Sequence, residues 1–267
     1  MVRINRHLPL TNAMKLLILL TLSGFLSAAS HGALVVSYAE DSNDFNSKLS
    51  NTTVFDFNGL AAGKRSNVAW TSGGNTIGTY DQLWIKGADQ YGGAGNPNGS
   101  NYSAIGARWV PTTTLTFNEP HAYFGFWWSA GDANNVLSFY NGSTLTAQFT
   151  TSTLLNALAG SPEYKGSPVT KYLNQNAAES YAFINFFGAG GTTWNKIVFS
   201  NLGTSGFEND NHTDRVLPWG SYPQEVGKPY PGKVIASVNG TNVTMIPEPG
   251  AALLSVLGAL TCLRRRR

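Results

Sequence analysis

Cysteine is almost missing from this chain. The single one, Cys262, stands five residues before the last of 267, inside an apolar run. That excludes a disulfide framework, and it excludes thiol chemistry in the body of the protein. Charge is thin as well, since Asp, Glu, Lys and Arg make up 12% of the residues together. Histidine occurs four times, at His7, His31, His121 and His212. No internal repeat and no long low-complexity tract is present. The Gly-x-Ser-x-Gly elbow, the zincin motif and the phosphate loop are all absent. Gly188-Ala189-Gly190-Gly191 is no dinucleotide fingerprint, because no βαβ pattern surrounds it.

The two ends carry the most specific signals. Lys15 precedes the apolar run Leu16 to Leu22, and the small residues Ser27-Ala28-Ala29 follow, the pattern of a secretion signal cut near Ala29 or Ala33. Residues 1–33 are therefore expected to be a signal peptide. Met14-Lys15 is itself a typical signal opening, so residues 1–13 read either as an over-extended start or as a long n-region with Arg3 and Arg6. At the other end, Pro247-Glu248-Pro249 precedes the uncharged run Ala251 to Leu263 and the cluster Arg264, Arg265, Arg266 and Arg267. Two prolines hold the first part extended and open to a protease. The apolar run is shorter than the roughly 20 residues of a full membrane span, and the arginines extend it by snorkelling. Four arginines hold the last part on the cytoplasmic side.

This three-part tail, residues 245–267, resembles the PEP-CTERM sorting signal of Gram-negative bacteria. The resemblance implies recognition by exosortase, a membrane transpeptidase-like enzyme. With the N-terminal signal, it also implies passage through the secretion translocon and signal peptidase. The tail would anchor briefly in the inner membrane, leaving the protein at the cell surface or outside the cell. Removing both ends leaves eleven basic residues against fourteen acidic ones, a net charge of −3 where the whole chain has +3. Nucleic acid is thereby excluded as an electrostatically driven partner.

Residues 34–244 read as one domain. Gly, Asn, Ser, Thr and aromatics abound there, a composition of short strands and tight turns. Strand patterns run over 53–57, 83–86, 113–117, 123–128, 136–140, 143–149, 180–187, 194–199, 233–238 and 241–244. Tyr123 to Trp128 is apolar on both faces, as in a central strand. Asn141-Gly142 predicts a hairpin with positive φ at both residues. Thr153 to Leu158 suggests one helical turn, and Pro218 to Gly232 a long proline-rich loop. The expectation is an all-β fold, an antiparallel β-sandwich of jelly-roll, lectin-like type. It would be flanked by the signal peptide and a short C-terminal hydrophobic helix.

Phe124 to Asp132 ahead of a hairpin, Tyr181 to Phe187, Trp194 to Phe199, and the run Gly206-Phe207-Glu208-Asn209-Asp210-Asn211-His212-Thr213 resemble a family of exosortase-dependent bacterial surface proteins. That resemblance spans about residues 50–245. It implies a lectin-like β-sandwich at the surface or in the matrix, and no established activity.

Asp210, Asn211 and Asp214 gather hard oxygen donors in five residues, with Asp56 and Asp132 as partners from elsewhere. Such a set suits a structural Ca²⁺, which takes about six to eight oxygens. An Asx-turn loop bonding its own backbone explains the same residues. Zinc and iron need more histidine than His121 and His212 supply. For sugar binding, Trp128 or Trp127, Trp219, Tyr222 and Tyr91 offer ring faces, and Asn134 an amide for hydroxyls. The same aromatics would equally serve the core and pin a loop. Glu119, Glu163, Glu179, Glu208 and Asp210 are the carboxylates from which a glycoside hydrolase pair would be drawn. The leading expectation is a non-catalytic, exported surface or matrix protein associated with exopolysaccharide and biofilm. A Ca²⁺-dependent lectin-like module is the alternative, and a polysaccharide-active hydrolase comes third.

Overall fold

The computed structural model describes residues 34–246. The signal-like segment, the Pro247-Glu248-Pro249 motif, the terminal apolar run and Arg264–Arg267 lie outside the described residues. Among the described residues no helix is long and apolar enough to cross a membrane.

Among the described residues, fourteen strands follow one another with almost no helix. They are β1 (Leu34–Tyr38), β2 (Thr53–Phe55), β3 (Gly63–Ser72), β4 (Asn75–Lys86) and β5 (Tyr102–Ile105). Then come β6 (Thr112–His121), β7 (Tyr123–Gly131), β8 (Asn135–Asn141) and β9 (Thr144–Thr150). A single-turn helix α1 (Ser152–Ala157) matches the turn expected near Thr153. The chain returns through β10 (Ser180–Gly188), β11 (Trp194–Asn201), β12 (Phe207–Arg215), β13 (Lys233–Asn239) and β14 (Asn242–Met245).

The paired strands are antiparallel and form one path, β14-β13-β1-β10-β7-β12-β5-β4-β6-β11-β8-β9, with β2 on β12 and β3 on β4. The ends of the path meet. Gln148 N–H on β9 donates to Gly240 O at 2.7 Å, and Gly240 N–H donates to Thr146 O at 3.0 Å. The sandwich is nearly closed, which leaves little unpaired edge.

Its interior is aromatic. Trp70, Tyr80, Phe117, Phe124, Phe126, Trp128, Phe139, Phe186, Trp194 and Phe199 pack into one buried cluster. Each large side chain removed from water contributes roughly 1.5–3 kcal/mol. Two smaller clusters lie on the outer face, one around Trp127, Tyr181 and Phe183 and one around Tyr123 and Phe187. The double-sided apolar strand read at residues 123–128 follows from this: β7 sends Phe124, Phe126 and Trp128 inward, and Tyr123 and Trp127 into the outer clusters.

The β8–β9 hairpin is present with Asn141 opposite Thr144. Its turn is Gly142-Ser143, one residue later than expected, and positive φ falls on Gly142 (+61°) alone. That places glycine at the first central position of the hairpin turn and leaves Asn141 in strand backbone, as in a type II′ turn.

β12 departs furthest from sequence expectation. Its sequence, FENDNHTDR, is polar, yet all nine residues are buried. A bulge interrupts its pairing with β7 between Asp210 and Thr213, and Asn211 sits there at φ +47°. Asn can hold this left-handed backbone because its short side chain bonds locally. Asn211 Nδ2–H donates to Phe45 O and Asn46 Oδ1, both at 2.9 Å. The extra residue shifts which side chains point inward. Before the bulge, Phe207 and Asn209 face the interior; after it, His212 and Asp214 do. Asn209 Oδ1 and His212 Nε2 meet at 2.8 Å inside, and the His212 ring lies against Phe57, Phe124, Phe126 and Phe199.

Candidate functional site

Glu208 and Asp210 stand ahead of the bulge and alternate with the inward Phe207 and Asn209, so both point outward, and each enters a different environment. Asp210 is sealed under the loop that follows β4. Its Oδ2 accepts from Ala94 N–H at 2.8 Å and from the Ser100 hydroxyl, and its Oδ1 accepts from Asn211 N–H at 2.7 Å. Burial outweighs these bonds and pushes the carboxyl up to about 7. Glu208 instead forms the floor of an open cleft.

That cleft has a volume of about 370 Å³. Three carboxyl groups line it: Glu208 from β12, Asp132 from the end of β7, and Glu179 from the approach to β10. Lys86 at the end of β4, Arg108, Trp109 and Tyr91 complete the wall. The Lys86 ammonium lies 5.4 Å from the Trp109 ring centre, 5.1 Å from Tyr102 and 5.8 Å from Tyr91. It also pairs with Asp89 Oδ2 at 3.0 Å. Asp89 Oδ1 in turn accepts from the Tyr102 hydroxyl at 3.0 Å. One cation thus gathers three rings around a carboxylate at the cleft edge.

Glu208 is only 6% exposed. Burial raises its proton affinity to about 8, with Glu179 and Asp132 pushing in the same direction and Lys86 pulling against them. Burial also raises Glu179, whose carboxylate accepts from the Asn176 amide. Asp132 accepts from Asn134 N–H at 2.6 Å and from the Ser205 hydroxyl. At neutral pH Glu208 is therefore mostly protonated and able to donate. The rings offer flat faces for C–H groups, while the carboxyl groups, Lys86 and Arg108 offer partners for hydroxyls.

The sequence-derived calcium ligands stand in different surroundings. Asp210 lies on the outer face and Asp214 on the inner face, on either side of the bulge. Asp214 Oδ2 faces His121 Nδ1 at 2.5 Å. Asn211 is spent on residues 45 and 46. Asp56 is exposed and accepts from Asn58 N–H at 3.1 Å, and Asp132 belongs to the Glu208 cleft. Among the described residues no group of three or more His, Cys, Asp and Glu is placed to hold a metal.

The sugar-binding residues also scatter. Trp128 is fully buried and its Nε1–H donates to Asn135 Oδ1 at 2.7 Å, so it has no face to offer. Trp219 packs on Phe187 and donates to Lys228 O at 3.1 Å. Tyr222 stacks on the Arg215 guanidinium at 5.3 Å, in another crevice. Asn134 is exposed beside Asp132, and Tyr91 does line the cleft. Of the hydrolase candidates, Glu208 and Glu179 meet; Glu119 and Glu163 lie elsewhere and are exposed. Sequence reading passed over Lys86, Arg108 and Trp109. The signal available was Arg108-Trp109, a cation beside a large aromatic outside any strand pattern.

The chain matches no model of a protein family, and no curated protein matches it. Among solved structures, the catalytic domain of a GH87 alpha-1,3-glucanase in complex with tetrasaccharides is similar at a TM-score of 0.30 and 15% identity. The match covers 72% of this chain and 30% of that one, so this chain spans under a third of the glucanase domain. The Stig cyclase Fisc from Fischerella sp. TAU is similar at a TM-score of 0.27 and 13% identity, over 69% of this chain and 98% of that one. Likeness at this level transfers neither detailed fold nor activity.

Proposed function

We propose that this is an exported surface or matrix protein whose β-sandwich holds exopolysaccharide in the Glu208 cleft. One observation carries the reading. Three carboxyl groups, two cations and the Trp109 and Tyr91 rings converge on one open cavity, the mix of flat apolar faces and hydrogen-bonding groups that sugars require. The tripartite tail and the secretion signal support export, processing by exosortase near Pro247-Glu248-Pro249, and transient anchoring in the inner membrane. Signal peptidase, the translocon and exosortase are then partners in transit, and exopolysaccharide is the partner at the destination.

The test is retention of the exported protein on polysaccharide from its own host, by affinity electrophoresis. Trp109→Ala and Glu208→Gln should each weaken retention several-fold while leaving the melting temperature within a few degrees. Unchanged retention in both variants would rule out the cleft. Mass spectrometry of the surface fraction checks the export half: the protein should end near residue 247, without its arginines.

A catalytic reading has one specific observation in its favour, the raised proton affinity of Glu208 next to Glu179 and Asp132, which suits a general acid. New reducing ends released by wild type and not by Glu208→Gln would establish it.

A further inference from the structure

On the inner side of the bulge, β12 builds a second and separate site. Asp214 and His121, the last residue of β6, are both buried and face each other at 2.5 Å through Oδ2 and Nδ1. Each keeps its other polar atom unsatisfied: His121 Nε2 and Asp214 Oδ1 are buried without a partner. Thr53 Oγ1 is a third such atom, and Thr53 stands directly opposite Asp214 in the β2–β12 ladder. All three residues line one crevice of about 470 Å³, which shares no lining residue with the Glu208 cleft.

A buried polar atom without a partner costs roughly 1–3 kcal/mol, so three together call for something to satisfy them. Burial raises the proton affinity of Asp214, so the proton between Oδ2 and Nδ1 is shared by the pair: His121 Nε2 accepts when it sits on Nδ1 and donates when it sits on Asp214, Asp214 Oδ1 accepts, and Thr53 does both. What fits is a group that both donates and accepts. The crevice rim carries Asn51, Asn75, Thr76 and Asn118, with Tyr222 as its ring. The wall's charge does not select the ligand, since Arg215 is held by Glu225 and Glu119 lines the crevice beside Asp214; an ammonium only donates, and so would not satisfy His121 Nε2 where that atom carries the proton. A metal ion lacks a third placed ligand of the usual types among the described residues. A hydroxylated ligand meets neither obstacle.

We infer that the crevice above His121, Asp214 and Thr53 is a second sugar-binding site, in which one ligand hydroxyl bonds His121 Nε2 and a neighbouring hydroxyl bonds Asp214 and Thr53. The three atoms are buried, so entry of a ligand requires a local shift of the backbone around them; β2 is three residues long and pairs with β12 alone. Two separate sugar sites on one body would let a single molecule bridge polysaccharide chains, with a gain in avidity. The inference stands on this crevice alone and survives failure of the Glu208 cleft.

The experiment is nitrogen-15 NMR of the histidine side chains in the exported protein, titrated with glucose, galactose and mannose, and separately with Zn²⁺. His212, enclosed in the core, is the internal reference. At least one sugar should shift His121 Nε2 saturably and leave His212 in place. Asp214→Asn and Thr53→Val should each weaken that response by about tenfold, and Glu208→Gln should not. Thr53→Val nearly conserves volume on a short outer strand, so it remains informative if Asp214→Asn fails to fold. A response to Zn²⁺ alone, or to none of the four, would overturn the inference; the second outcome would assign the three atoms to ordered water.

Discussion

Arg215 and Glu225 meet as a buried fork. The guanidinium Nη1–H donates to Glu225 Oε1 at 2.6 Å and Nη2–H to Oε2 at 3.3 Å, with the two side chains 2% and 3% exposed. Glu225 Oε2 also accepts from Gly220 N–H at 3.0 Å, and Arg215 Nε–H donates to Leu217 O at 2.9 Å. This pair ties the proline-rich stretch 218–232 to the end of β12. Removing one partner leaves the other charge buried and alone, which costs about 3–5 kcal/mol. Glu225→Ala should lose that much in urea unfolding. Asp44→Ala, which breaks the pair with a Lys48 side chain that is 68% exposed, should lose at most about 1 kcal/mol. Similar losses for the two variants would show that the fork does not hold the segment.

The bulge at Asn211 decides which carboxyl groups face the cleft and which face the interior. Asn211→Ala loses two hydrogen bonds and places a less tolerant residue at φ +47°. The expected loss is about 2–4 kcal/mol. Asn211→Gly restores the backbone freedom without the bonds and should fall between alanine and wild type. Chemical denaturation of the three proteins gives the order. Glycine destabilising as much as alanine would mean that backbone strain contributes nothing here.

Most strands were legible because their burial is written in their own alternation: β6, β7, β8, β9, β10, β11 and β13 each carry the apolar residues that bury them. β3 was missed because its GKRSNVAWTS sequence is half exposed, buries Trp70 alone and has a glycine at its start. β12 was missed for the opposite reason. It is buried while polar, since Phe45, Asn46, Ala94, Ser100 and His121 satisfy its side chains from positions far away in sequence. Closeness in sequence grouped Asp210 with Asp214, and a single left-handed asparagine, Asn211, separates them. Glu208 and Glu179 were recognisable as candidate carboxylates, but only the β12–β7–β10 order of the sheet shows that they share a cleft.

Stability should fall as pH rises from about 4.5 to 8. Glu208 goes from an ordinary carboxyl value of 4.5 when unfolded to about 8 when folded, and Asp210 from 3.8 to about 7, both through burial. A raised acid keeps its proton in the folded state, so its contribution is complete below the unfolded value and fades as pH climbs through the folded one. His212 acts in the other direction: burial lowers it to about 3, so its contribution is lost as pH falls below 6.5. Two carboxyl groups outweigh one imidazole between pH 4.5 and 6.5, and above 6.5 they act unopposed. Each net group contributes a slope of about 1.4 kcal/mol per pH unit. Melting temperatures at pH 5 should exceed those at pH 8, and Glu208→Gln should flatten the dependence between them. A stability maximum at pH 8 would contradict the buried, protonated Glu208.

Two glycines separate cleft from scaffold. A Cβ on Gly206 would lie 2.1 Å from Glu208 Oε1 and 2.7 Å from its Cδ, contacts with the far end of a side chain. A Cβ on Gly188 would lie 2.0 Å from the backbone oxygen of Thr192 and 3.3 Å from that of Ala122, contacts that only a main-chain shift relieves. Gly188→Ala should therefore cost about 3 kcal/mol, while Gly206→Ala should cost under about 1 kcal/mol. Function should divide the other way. Gly206→Ala displaces the Glu208 carboxyl from the cleft floor and should weaken polysaccharide retention as Glu208→Gln does. Gly188→Ala, assayed well below its melting temperature, should retain polysaccharide like wild type, because it touches no group in the cleft wall. If Gly206→Ala retained polysaccharide fully, the Glu208 carboxyl would not be what the sugar meets.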